Sequence, residues 1–167
     1  MSKKLRLLVI LVALLSATGA GAQAPPATPA PPPLPYGAPI GLDDAKKAAA
    51  ASVEEVKKIG AAPNAIAIVD HGGFLIYFER MDNTQLGSVE IAIDKARSAA
   101  LFRRPSKVFE DALAGGRTAI LALRGATPIE GGLPLVSAGK IVGAIGASGG
   151  TAQQDGQVAK AGADTIK

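Results

Sequence analysis

The chain has 167 residues with no cysteine, no tryptophan, one histidine and 4% aromatic content, which excludes disulfides, thiolate catalysis and thiolate metal sites. Its 48% hydrophobic content leans on alanine, and 20 glycines stand beside it, so a single core of small residues with close backbone packing is expected, in one domain of about 125 residues. A formal charge of +4 falls to +1 once Lys3, Lys4 and Arg6 are set aside with an N-terminal signal, and nucleic-acid binding thereby loses its electrostatic support.

That signal is read from three features. Lys3, Lys4 and Arg6 form a positive start, Leu7 to Leu15 is almost purely aliphatic, and Ala22-Gln23-Ala24 fits the small-x-small cleavage rule. The apolar run is shorter than the ~20 residues that span a bilayer. Residues 1–24 are therefore expected to be a cleaved signal peptide, leaving no stable membrane anchor and a periplasmic or secreted protein. Residues 25–40 are rich in proline and read as an extended spacer. From Gly41 to Gly60, Leu42, Ala45, Ala49, Val53 and Val56 recur at helical spacing, with Asp43 and Asp44 in the first turn and Lys57 and Lys58 in the last.

Ala65–Val69 and Phe74–Glu79 read as a hairpin closed by Asp70-His71-Gly72-Gly73, with Phe74, Ile76 and Phe78 on one face of its second strand. Helical spacing returns over Leu86–Leu101 and Ser106–Leu113. Thr118–Leu123 is expected as a further strand, and Leu133–Ser137 with Lys140–Ala147 as a second hairpin about Ala138-Gly139. Thr151-Ala152-Gln153-Gln154 fits a capping box at the start of a closing helix. Two hairpins without regular strand-helix alternation predict an α+β fold, a five-stranded antiparallel sheet with helices packed on it.

Conventional catalysis finds no support in the motifs. Gly146-Ala147-Ser148-Gly149 has the wrong spacing for a nucleophile elbow, and the glycines at 143, 146, 149 and 150 form neither a dinucleotide fingerprint nor a phosphate loop with its lysine. His71 is the sole imidazole and sits in a glycine-flanked turn, where it is either a solvated turn residue or a metal ligand.

Six strings carry a resemblance to a known family: Ile68-Val69-Asp70-His71-Gly72-Gly73, Glu79-Arg80-Met81-Asp82, Ala92-Ile93-Asp94-Lys95-Ala96, Phe102-Arg103-Arg104-Pro105, Ile129-Glu130-Gly131-Gly132-Leu133-Pro134 and Gly143-Ala144-Ile145-Gly146-Ala147-Ser148-Gly149-Gly150. Taken together, residues 41–167 resemble the GlcG/HbpS-like haem-binding family, a domain type also attached to some cobalamin adenosyltransferases. The resemblance implies a profilin-like or Roadblock-like fold, homo-oligomerisation and, in several members, haem. One member works with a sensor kinase, which makes such a kinase a possible partner. On this reading His71 is the candidate iron ligand, and Arg80, Lys95, Arg103 and Arg104 are candidate partners of haem propionates. Met81 and Tyr77 are other axial candidates, although Met81 lies about 20 Å along the hairpin from His71. The alternative is a protein or enzyme for a small organic acid, using Lys95, Glu130 and the arginines around a polar pocket.

Overall fold

A computed structural model describes residues 32–167; the expected signal peptide and the first part of the spacer lie outside the described residues. Helix α1 (Leu42–Ile59) buries Ala45, Ala48, Ala49, Ser52 and Val56, the face its sequence periodicity marks, and ends at Gly60 in the left-handed conformation that glycine adopts without steric cost. Strands β1 (Ala65–Asp70) and β2 (Leu75–Arg80) form the first hairpin. Helices α2 (Ser88–Phe102) and α3 (Lys107–Ala114) follow, and then β3 (Gly132–Ser137), β4 (Lys140–Ser148) and α4 (Ala152–Ala163).

The sheet has four strands in the order β2-β1-β4-β3, every neighbouring pair antiparallel. The expected fifth strand is instead a short 3-10 helix over Thr118–Ala122. Its segment spans only from Gly116 to Gly125, both at positive φ, and its Leu and Ala residues lack the β-branched character that favours a strand. Only Ile120 of that helix is buried, while Leu121 is exposed.

β1 is buried on both faces, and alternate residues serve two cores. Ile66 and Ile68 join Leu135, Ile145 and Ala147 beneath α1 and α4. Ala65, Ala67, Val69 and Ala144 lie beneath Ala92, Ala96, Ala99 and Ala100 of α2. The result is a helix layer on each side of the sheet. β2 departs from simple alternation: Ile68 pairs with Tyr77 and Val69 with Leu75, so Ile76 is an extra residue in a bulge. Ile76 therefore packs with Tyr77 on the α1 side while Phe78 faces α2, which corrects the shared face expected for Ile76 and Phe78.

The spacer also reaches further into the fold than its composition suggests. Beyond Asp70, β1 no longer flanks β4, and residues 35–40 take that position through hydrogen bonds from the Ile141 amide to the Pro35 carbonyl (2.9 Å), from Gly37 to Ile141 (2.8 Å) and from Ile40 to Val142 (2.8 Å). Ile40 is buried in the α1 core, so the folded unit begins before Gly41.

Candidate functional site

The turn after β1 is held by its own aspartate. Asp70 Oδ1 accepts hydrogen bonds from the amides of Gly72 (2.8 Å) and Phe74 (3.0 Å), and the Asp70 amide donates to the Phe74 carbonyl (2.8 Å). This fixes His71 at the tip, half-buried. Its Nδ1 is shielded from solvent and has no hydrogen-bond partner among the described residues. Buried polar atoms are normally paired, so this imidazole nitrogen is a metal-ligating atom that no hydrogen bond commits.

A side chain from another segment meets the His71 ring, and a second stacks on the first. Tyr36 lays its ring against the imidazole, with centroids 5.7 Å apart, and its hydroxyl donates to the Ala100 carbonyl at the end of α2 (2.9 Å). Arg103 holds its guanidinium over the Tyr36 ring, 5.3 Å from the centroid. Arg103 is the residue that ends α2 and adopts φ 54°, a left-handed conformation uncommon for a residue with a side chain. The amides of Arg103 and Arg104 return to the carbonyls of Ala100 and Ala99, closing the helix, and the Arg104 guanidinium lies 5.9 Å from the centroid of the Phe109 ring, its Nε donating to the Phe102 carbonyl (3.0 Å).

Arg103 and Arg104 also line a mostly apolar groove of about 410 Å³ with Leu34, Leu133, Pro134 and Val136. Lys160, on the same rim, is already engaged with Asp164 (2.6 Å). The two arginines have no carboxylate partner among the described residues, whose ion pairs are made by other cations. A flat apolar molecule with carboxylates at its edge matches this combination.

The other expected site residues are elsewhere. Arg80 pairs with Ala65 at the opposite end of the hairpin, about 16 Å of strand from the turn. Lys95 is 1% exposed and belongs to the interior: its Nζ donates to Asp155 Oδ2 (2.8 Å) and to the Ala147 carbonyl (3.0 Å). That placement corrects its expected role as a propionate partner, since an amine committed to a buried carboxylate offers nothing at the surface. Glu130 precedes β3; its carboxylate packs over Gly156 of α4, 4.0 Å from Lys107, and its amide donates to Glu110. Lys95, Glu130 and the arginines thus do not assemble the polar pocket on which the organic-acid alternative rests.

Tyr77 is on β2, where its hydroxyl donates to Glu79 (3.1 Å), and Met81 packs beside Asn64; neither approaches the turn. Tyr36 and Arg97 are additions that sequence reasoning passed over. Arg97 Nε donates to the Gly73 carbonyl (3.2 Å), bracing the turn from α2. Tyr36 was hidden by its proline-rich setting, although a lone aromatic in such a segment is itself a signal of docking.

A family model described as "Haem degrading protein HbpS-like" matches residues 40–164. Protein GlcG of Escherichia coli strain K12 is 44% identical over 99 residues, which cover 59% of this chain and 73% of GlcG. The crystal structure of HbpS aligns with a TM-score of 0.71 at 30% identity, covering 80% of this chain and 94% of that one. The crystal structure of the PduOC:heme complex aligns with a TM-score of 0.70 at 26% identity, covering 77% and 96%. Because the family match takes in every helix and strand from α1 to α4, the chain belongs to the HbpS-like family.

Proposed function

We propose that this protein is exported and binds haem at the corner formed by His71, Arg103 and Arg104, serving to sequester, store or sense it. The observation that carries the reading is the shielded, unpaired Nδ1 of the sole histidine, which Tyr36 links to Arg103, and Arg103 in turn lines an apolar groove with Arg104. These residues fit the group that the PduOC:heme relative carries. Bound haem supplies a redox-active iron in a flat, largely apolar ring with two carboxylates. His71 would hold the iron as a neutral imidazole, Arg103 and Arg104 would take the carboxylates, and Leu133, Pro134 and Val136 would exclude water from the ring face.

Titrating haemin into the purified protein tests this directly. A saturable shift of the Soret band is expected, altered in position for His71→Ala. The same spectrum for both proteins would remove His71 as ligand, and no shift in either would remove haem. Export is tested separately: the intact mass of protein recovered from the periplasm is expected to lack residues 1–24.

A further inference from the structure

We propose that the segment Leu34–Tyr36 is a displaceable cover over His71 Nδ1, so that a ligand reaches that ring nitrogen only when the cover lifts. This rests on the reading of His71 as a ligand-binding residue, and it explains why a segment of spacer composition is docked at all. Tyr36 shields the imidazole with its ring, and its hydroxyl is tied to the carbonyls of Ala100 (2.9 Å) and Leu101 (3.2 Å), the last turn of α2. Arg103 secures the same piece twice, through its guanidinium over the Tyr36 ring and through a long hydrogen bond from Nη1 to the Leu34 carbonyl (3.4 Å).

The attachment is shallow. Leu34 is 43% and Tyr36 40% exposed, Pro32, Pro33 and Pro35 have no amide hydrogen to donate, and the segment meets β4 only at its end, through the Pro35 carbonyl and the Gly37 amide on either side of Tyr36. Segments held by few buried contacts open locally well below the free energy of global unfolding. Closure also has a standing cost, because it leaves His71 Nδ1 shielded and unpaired. Arg103 couples the two halves of the site: the guanidinium that holds Tyr36 down also lines the groove. A carboxylate that draws Arg103 away from the tyrosine ring loosens the cover as it binds.

The test uses the chain's single histidine and its lack of cysteine. Carbethoxylation of His71 by diethyl pyrocarbonate, followed by the ultraviolet band of the product, reports access to the imidazole without any haem. A Cβ at Gly37 would lie 3.0 Å from Lys140 Cβ, close to disulfide spacing after a small adjustment, so the pair Gly37→Cys and Lys140→Cys staples the segment to β4. The modification rate is expected to rise about 5-fold or more in Tyr36→Ala, to rise less in Tyr36→Phe, and to fall in the oxidised staple relative to the same protein reduced. Equal rates in the native protein, in Tyr36→Ala and in both forms of the staple overturn the cover. Rates that respond as expected, in a protein that gives no Soret shift with haemin, keep the cover and sink the haem assignment instead.

Discussion

Lys95 and Asp155 are the one ion pair among the described residues in which both partners are almost completely buried, at 1% and 4% exposure. Asp155 Oδ1 also accepts from the Gly150 amide (2.9 Å), and Lys95 Nζ also donates to the Ala147 carbonyl, so the pair ties α2, β4 and the start of α4 at one point. Removing one partner leaves the other charge in the interior. Lys95→Met is therefore expected to cost about 3–5 kcal/mol, whereas Lys95→Met with Asp155→Leu should recover much of that loss, as urea unfolding of the three proteins will read. The spacing of α2 held this information: Ala92, Lys95, Ala96 and Ala99 share a face at three and four, and the smallest residues mark the closest approach to the sheet. A second expectation belongs to Tyr77, whose pKa is raised above 10.0 by burial first, then by its hydrogen bond to Glu79 and that carboxylate's charge. The native state thus keeps its phenol proton where the unfolded chain has lost it. The associated stability is whole below about pH 10 and is lost as the pH rises through the folded pKa. Glu79→Gln should lower the Tyr77 midpoint in an ultraviolet titration, which Tyr36→Phe makes specific by leaving Tyr77 as the only tyrosine.

Elements followed the sequence wherever a periodic pattern ended in a recognisable stop. α1 closes at Gly60, the second hairpin turns through Ala138 (φ 47°) and Gly139 (φ 72°), and Thr151 and Gln154 complete the expected capping box. Thr151→Ala is accordingly expected to lower stability by about 1 kcal/mol, measured by the denaturant midpoint. Where no such stop exists the pattern misled. The apolar run at Thr118–Ala122 lacks strict alternation, and its short span between two glycines and its Leu and Ala residues were weaker signals than the apolar run itself. The Ile76 bulge is silent, because one extra residue in a hairpin shows only once β1 is laid beside it. Close packing of α2 on β4 makes a sharper test. A Cβ at Gly146 would collide with the Ala92 carbonyl oxygen and would lie 2.7 Å from the Ala96 amide nitrogen, both backbone atoms that cannot rotate aside. Gly146→Ala is expected to cost about 3 kcal/mol or more despite adding one methyl group, through forced separation of α2 from the sheet.

At the scale of the whole molecule, the sheet sorts the candidate residues into two ends. Arg80 and Lys95 lie where β4 runs out toward Ser148, without meeting; His71 lies past the opposite end of the β1–β4 pairing, and Tyr36 connects it to Arg103 beside Ile141. The residue types were legible in the sequence, and so was the turn that carries His71. Their grouping was not, because it depends on strand order and on a spacer segment folding back along β4, both long-range properties. The grouping turns the function into a charge argument that can be measured apart from iron ligation. If Arg103 and Arg104 bind carboxylates, each should contribute on the order of 1 kcal/mol at this partly solvated site, a loss of about 5-fold in haemin affinity per arginine removed. Arg104→Ala is the cleaner variant, since Arg103 also holds Tyr36. It should weaken haemin while leaving the dimethyl ester of haemin almost unaffected, because the ester has no charge to lose. Raising the salt concentration should erase the native protein's preference for the free acid over the ester. An ester that binds the native protein as tightly as the acid at low salt would show that the arginines face solvent and that the groove, if it holds the ring, does so by apolar contact alone.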